Sequence, residues 1–295
     1  MAIRAYLTIM RPANLLTAVA DIWAGAALSG YLSPETAGGP PGRALLIGSL
    51  SSACLYAGGV VFNDICDASL DRIERPERPI PSGKIALASA TVWGLILLIA
   101  GIALAWALGP VAGCIAIGIA LAAVVYDRWG KHRDLLGPLN MGVCRGLNLC
   151  LGMSLIPAQM GPVAWTVFVP VIYIYAITLI SRGEVHGGTR GSLRVGLGLY
   201  VAVILGVAAM AIIRHQFLLP AAFLLLFALC VFPPLASALK QPSGPKIGRA
   251  VKAGVIGLIL LDAAWVATSG NLYWALVTAL LLPVSVWVAR YFAVT

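Results

Sequence analysis

Ten apolar segments divide the chain, and the polar residues gather in the short stretches between them. Each segment is close to the ~20 residues that a helix needs to cross a bilayer. The pattern therefore predicts ten membrane helices, with Pro110 making the short fourth segment a hairpin partner of the third. The segments run over residues 13–33, 44–66, 86–108, 110–126, 136–156, 162–181, 193–213, 216–239, 249–268 and 271–290.

Composition leads to the same class of protein. Of the 295 residues, 60% are hydrophobic and 11% are charged, and the mean hydropathy is +0.95. A water-soluble domain of this length cannot bury so much apolar surface, whereas a membrane protein exposes it to lipid. We therefore predict an all-α integral membrane protein that forms a single polytopic domain over residues 1–295. The first apolar run lacks a small-residue cleavage site, so we expect it to stay as a span.

The basic residues predict the orientation of the chain in the membrane. The net charge is +9, but the basic residues are spread thinly among the loops, which argues against nucleic acid as a partner. With the N-terminus inside, the outer loops contain only Arg43 and Arg214. Because inner loops are rich in Lys and Arg, this predicts a multi-pass protein of the cell membrane with both termini in the cytoplasm.

The six cysteines lie in apolar segments or at their ends, and no Cys-x-x-Cys pair occurs. This distribution is typical of small apolar packing residues. We expect them to be buried, and we expect neither disulfides nor a zinc site.

The stretch from Asn63 to Gly83 has the highest density of acidic residues, with five of the chain's 11 in its first fifteen positions. Asp64, Asp67 and Asp71 are spaced i, i+3, i+7, so on one continuous helix their carboxylates share a face. A hard cation between them would relieve their repulsion.

Cations follow this acidic face at once. Arg75 precedes Pro76, and a residue before proline is disfavoured in the α region, so we expect the helix to end there. Arg75, Arg78 and Lys84 can donate to phosphate oxygens. Together, the acids and the arginines predict a metal–diphosphate site at the membrane surface.

The motif Asn63-Asp64-x-x-Asp67-x-x-x-Asp71 resembles that of the UbiA superfamily of intramembrane prenyltransferases. Its continuation to Gly83 is similar to the branch that holds digeranylgeranylglyceryl phosphate synthase and chlorophyll synthase. Residues 10–12, 126–131 and 137–140 also resemble the family, and the whole chain is similar to a divergent UbiA-like subgroup of Ebo-type operons. The resemblance implies nine spans around a lipid-open central cavity, one fewer than the ten apolar segments.

The resemblance also implies a reaction, the Mg²⁺-dependent transfer of a polyprenyl group from its diphosphate to an acceptor at the cytoplasmic face. It implies metal binding by Asn63, Asp64, Asp67 and Asp71, and catalytic roles for Asp64 and Asp67. We expect Glu184 and His186 to replace the family's second site, Glu184 as a metal ligand and both as catalytic residues. The acceptor stays unknown, and membrane lipid surrounds the site. The residues expected to bind substrate are Arg75, Arg78, Tyr126, Lys131, Asn14, Asn140, Arg145 and Arg182.

The loop after the sixth segment departs from the family pattern, because it contains Glu184 and His186 where the family has two aspartates. One carboxylate and one imidazole are a poor site for Mg²⁺, which prefers oxygen ligands. The pair could form an altered metal or acceptor site with His186 as general base, or it could belong to an ordinary Gly-rich turn.

This departure leaves other functions open. The chain could be a UbiA-like protein with lost or altered catalysis that binds or transports a lipid-linked or small aromatic compound. It could also be a transferase that uses polyprenyl phosphate as acceptor of a sugar-like group.

Asp21, Arg145 and Asp262 fall inside apolar segments. A charge at the centre of a membrane helix costs at least ~2.5–3.5 kcal/mol, so we expect these residues to face the cavity or pair with one another. Arg145 could contact phosphate, or it could be the structural partner of Asp21.

Overall fold

The computed structural model describes residues 2–33, 42–130, 133, 135–184 and 188–292. In these ranges the regular structure is helical, and no strand occurs. The α-helices are α1 (Ala2–Met10), α2 (Pro12–Leu28), α3 (Arg43–Cys66), α4 (Ala68–Glu74), α5 (Leu87–Leu108), α6 (Pro110–Arg128), α7 (Leu136–Met153), α8 (Met160–Val163), α9 (Phe168–Ser181), α10 (Arg190–Ile213), α11 (Leu218–Lys240), α12 (Gly244–Ala267) and α13 (Leu272–Val288).

Each predicted apolar segment coincides with a helix, except that the sixth is interrupted. Two short 3₁₀ turns, Pro157–Gln159 and Ala164–Val167, flank α8 and lead into α9. Proline at 157 and 162 removes backbone donors, which explains why this segment does not start as one regular helix. Counting 157–181 as one helix, seven helices of the described ranges are long and apolar enough to cross a membrane. The choice between nine and ten spans stays a prediction.

Two of the expected helix boundaries are confirmed. Gly109, with φ +145°, separates α5 from α6, and Pro110 occupies the first position of α6. The helix through the acidic stretch ends at Glu74, directly before Arg75 and Pro76.

The expectation of one continuous helix from Asp64 to Asp71 is wrong, because α3 ends at Cys66 and α4 begins at Ala68. Asp67 lies between them with φ −88° and ψ −2°, and its side chain makes no capping hydrogen bond to α4.

The centre of the bundle is formed by α2, α7 and α12, and α12 is buried over most of its length. Helices α2 and α7 approach so closely that a Cβ atom added to Gly25 would clash with the backbone of Gly152 and Met153. Small residues that allow such approach are typical of helix contacts in membranes. Large apolar side chains on the outer helices, such as Leu205 and Ile99, are exposed, as expected for surfaces that face lipid.

The six cysteines are free thiols in this structure. Their predicted burial is wrong for Cys66 and Cys114, whose side chains are exposed, and the other four are partly exposed. Cys66 is the last residue of α3.

Candidate functional site

The buried carboxylate of Asp64 forms the centre of the candidate site. Asp64 lies in the last turn of α3 and is 6% exposed. Its Oδ1 atom accepts a hydrogen bond from Arg11 Nη2 at 3.0 Å, and Arg78 Nη1 lies 3.4 Å away on the same oxygen. Two guanidinium groups therefore converge on one carboxylate oxygen.

Arg78 connects Asp64 to the second buried acid of the motif. Its Nη1 atom donates to Asp71 Oδ2 at 2.7 Å, and Asp71 is 4% exposed. The turn after α4 presents this arginine, since the Arg78 N–H donates to the Arg75 carbonyl and the Ser82 N–H donates to the Arg78 carbonyl. Arg78 thus joins the end of α3 to α4 in a charge-assisted network.

Arg11 is a site residue that the sequence analysis did not select. It lies between α1 and α2 with φ +48° and ψ +66°, in the left-handed region that side chains other than glycine rarely adopt. Pro12 fixes the first position of α2 directly after it. Strained backbone is often retained at functional sites. The family-like residues 10–12 were the available signal.

Asp127 is the second missed residue. It is 4% exposed near the end of α6, and its Oδ1 atom accepts a hydrogen bond from Asn63 Nδ2 at 2.9 Å. Its neighbour Tyr126 is half-buried and lies within electrostatic range of Asp67, Asp127 and Arg11. The available signal is an acid directly after the apolar segment 110–126, where the sequence predicts a loop.

The atoms of this cluster that could bind a metal ion are carboxylate and amide oxygens, the ligands that Mg²⁺ prefers. In the part of the chain that the structure describes, no three His, Cys, Asp or Glu side chains form a group that could hold a metal ion. Asp64 and Asp71 meet at the guanidinium of Arg78 instead. The ligand atoms present are therefore of the kind that fits Mg²⁺. In this structure arginine side chains neutralise the acids instead.

The second predicted site is described in part. Glu184 is half-buried and its carboxylate packs against Gly248 at the start of α12. Arg182 is exposed, and its Nη2 atom donates to the Arg133 carbonyl at 3.3 Å. Lys131 and His186 lie outside the described residues.

The remaining predicted substrate-binding residues occupy different environments. Arg75 is exposed at the end of α4, and Asn14 is buried in the first turn of α2. The Asn140 amide lies 3.2 Å from the Ala122 carbonyl and 3.0 Å from the Tyr126 N–H, and with its nitrogen toward the carbonyl it bonds to both. Asn140 therefore holds the end of α6, and its substrate contact stays a prediction.

Arg145 lies in the interior of the bundle, with its Nε atom 2.6 Å from Asp21 Oδ2. This contact is the structural pairing that the sequence left open as an alternative to phosphate binding. Arg145 thus pairs with a buried acid of α2.

Fold and site together define a helical integral membrane protein with a buried acid–arginine cluster at one end of its helices. The model of the UbiA prenyltransferase family matches residues 22–241, and the chain belongs to this family. The sequence resemblance to the UbiA family is thereby confirmed.

Similar proteins are consistent with this assignment. A digeranylgeranylglyceryl phosphate synthase of Ignicoccus hospitalis is 33% identical over 186 residues, which cover 63% of this chain and 58% of that protein. The chain thus matches about three fifths of that relative's length.

Two solved structures share the fold. A UbiA homologue from Aeropyrum pernix K1 has a TM-score of 0.70 at 17% identity, over 85% of this chain and 96% of that chain. A UbiA homologue from Archaeoglobus fulgidus bound to GPP and Mg²⁺ has a TM-score of 0.62 at 14% identity, over 93% of this chain and 99% of that chain.

Proposed function

We propose that this protein transfers a polyprenyl group from its diphosphate to an acceptor in a Mg²⁺-dependent reaction at the cytoplasmic face of the cell membrane. The observation that carries the proposal is the sharing of Arg78 between Asp64 and Asp71 beside Arg11. Oxygen donors for a metal ion and guanidinium donors for phosphate lie within one buried cluster. The name of the related synthase and the GPP–Mg²⁺ complex of the Archaeoglobus fulgidus homologue support this interpretation.

Asn63, Asp64, Asp67 and Asp71 are the residues that would hold the metal. When bound, Mg²⁺ neutralises charge on the departing diphosphate. Asp127 orients Asn63, because its carboxylate accepts the Asn63 amide N–H and so determines which way the amide oxygen points.

Arg11 and Arg78 have two alternative partners in this proposal. Without substrate they pair with Asp64 and Asp71, so the buried acids keep counter-ions. With the donor bound, their N–H groups would donate to diphosphate oxygens, which would leave the carboxylates of Asp64 and Asp71 available to hold the metal ion. Guanidinium groups suit this exchange, since they bind carboxylate and phosphate with the same geometry. Placed at the leaving group, they stabilise the negative charge that gathers there.

The proposal assigns the rest of the bundle to the isoprenoid chain and the acceptor. Apolar helices around the cluster exclude water, which protects an allylic cation from hydrolysis. The acceptor approaches from the cytoplasmic side, where Glu184, His186 and Lys131 take part as sequence predictions.

Binding of the donor tests the proposal. Purified protein with Mg²⁺ and geranylgeranyl diphosphate should show saturable binding, and Asp64→Asn and Asp67→Asn should each abolish it. Glu74→Gln is the matched control, because Glu74 is an exposed acid of α4 and its change removes the same charge. Equal binding by all three variants, with each shown to be folded by its melting temperature, contradicts the proposal.

A binding or transport protein without transferase chemistry is the second candidate. It is favoured by the loop from Ser181 to Arg190, which has one acid in its sequence, and that acid packs on Gly248. Release of diphosphate by the natural sequence excludes it. Binding without release, together with a gain of release when aspartates are introduced over residues 182–188, supports it.

A further inference from the structure

A second polar cluster lies inside the bundle and has no part in the proposed reaction. Asp21 of α2, Arg145 of α7 and Asp262 of α12 meet there, and we call these residues the buried triad. They are 1%, 7% and 3% exposed. Three ionisable groups thus occupy the interior of apolar helices, where each uncompensated charge is costly.

Arg145 and Asp21 form a close, buried ion pair. Besides the 2.6 Å contact between Arg145 Nε and Asp21 Oδ2, Arg145 donates to the carbonyl of Thr17 at 2.6 Å and to its hydroxyl at 3.2 Å. Asn148 Nδ2 donates to Asp21 Oδ2 at 2.8 Å. One guanidinium therefore compensates one carboxylate, and both of its Nη atoms donate to Thr17.

Asp262 is the second acid of the triad, and within the described ranges no second cation pairs with it. Its carboxyl group is in side-chain hydrogen-bond contact with that of Asp21. Among the described residues its Oδ2 atom has no hydrogen-bond partner, although it is shielded from solvent. Tyr173 faces the triad from α9, but its hydroxyl donates to the Gly254 carbonyl at 2.8 Å. Two carboxylates have no donor to share, so their contact requires a proton.

We propose that Asp262 is protonated at neutral pH and donates this proton to the carboxylate of Asp21, which makes the buried triad neutral as a whole. The arrangement balances one guanidinium against one carboxylate, and it leaves one carboxylic acid. A second buried anion would face both low polarity and the charge of Asp21. The bound proton is favoured over a metal ion, because the guanidinium of Arg145 already occupies the cationic position.

The triad connects the central helices to one another. It joins α2, α7 and α12, and Asn148 extends it to α3 through the hydroxyl of Ser52, which donates to Asn148 Oδ1 at 2.7 Å. Arg11 precedes α2 and Asp64 lies on α3, so the triad holds together helices that also present the candidate site.

Infrared spectroscopy of the full chain in lipid vesicles tests this proposal. At neutral pH the wild-type protein should show a carboxylic-acid C=O band that shifts when aspartate is labelled with ¹³C and that persists after brief exposure to D₂O, since the group is buried. Asp262→Asn should remove the band, and Glu77→Gln, which changes an exposed acid, should leave it. Absence of an exchange-resistant aspartyl band in wild type, or its persistence in Asp262→Asn, overturns the proposal.

Thermal unfolding gives an independent measurement. Asp262→Asn replaces one neutral group by another and should melt close to wild type. Asp21→Asn removes the counter-ion of Arg145 and should melt clearly lower. Melting of Asp262→Asn at or below the temperature of Asp21→Asn contradicts a protonated Asp262. If Asp262→Asn does not fold, the infrared spectrum of the ¹³C-labelled wild-type protein tests the proposal alone, and absence of the exchange-resistant aspartyl band overturns it.

Discussion

Asn63 and Asp127 are 64 positions apart in the chain, and the side-chain amide of the first donates to the carboxylate of the second at 2.9 Å. The bond joins the last turn of α3 to the last turns of α6. Because the amide nitrogen faces Asp127, the amide oxygen is the atom left for a ligand. Asp127 therefore acts on the candidate metal site through Asn63.

Removing the acceptor at position 127 should weaken donor binding. Asp127→Ala leaves the Asn63 amide without its partner, and loss of a hydrogen bond to a charged group is worth about 1.5–3 kcal/mol. We expect Mg²⁺-dependent binding of geranylgeranyl diphosphate to weaken by at least about tenfold. Titration calorimetry of the purified variant measures this.

Asp127→Asn is the matched control for that variant. It keeps an oxygen acceptor at the same place while removing the charge, so its affinity should stay within about threefold of wild type. Equal losses in both variants would show that the charge of Asp127, rather than its hydrogen bond to Asn63, controls binding.

The two arginines that follow the acidic motif should differ in importance. Arg78 bridges Asp64 and Asp71, whereas Arg75 is exposed at the end of α4. Arg78→Gln should weaken donor binding by at least about tenfold, because it removes a charge-assisted donor from the buried cluster. Arg75→Gln makes the same charge change and should have a smaller effect. The dissociation constants of both variants for the donor, measured at one ionic strength, give the comparison. A larger loss of affinity in Arg75→Gln than in Arg78→Gln contradicts the geometry.

Apolar length and composition were sufficient to predict the long apolar helices, and the Arg75–Pro76 pair predicted the end of α4 at Glu74, since both are local signals. The break at Asp67 escaped prediction, because spacing arguments assume an unbroken helix. Helix α1 was missed as well, because its nine residues are too few to be recognised as a membrane span.

The partners of the acids could not be read from the sequence. Arg11 reaches Asp64 over 53 positions, and Arg145 reaches Asp21 over 124, so both pairs depend on how helices pack. The free-energy cost of a charge inside a membrane helix predicted that each such charge has a partner. It did not identify the partner, and for Arg145 both phosphate and Asp21 remained possible.

The crossing of α2 and α7 should be the most size-sensitive contact of the bundle. A Cβ atom at Gly152 would lie 2.8 Å from the Cα atom of Ile22 and would also meet its carbonyl oxygen. Both are backbone atoms of α2, so the helices must separate to accept a methyl group. Overpacking of this kind costs about 1–3 kcal/mol. We expect Gly152→Ala to lower the melting temperature in detergent by about 3–10 °C.

Gly198→Ala provides the control for this crossing, because Gly198 lies within α10 and a Cβ atom there has no heavy atom within 4 Å. Alanine favours the helix over glycine by about 1 kcal/mol, so this variant should melt at or slightly above the wild-type temperature. The helix-propensity gain is the same in both variants, and the difference between them therefore isolates the contact with Ile22. Equal melting temperatures would mean that α2 and α7 are not in backbone contact in the membrane protein. A selective loss in Gly152→Ala, accompanied by weaker donor binding, would in addition link this crossing to the position of Arg11 at the start of α2.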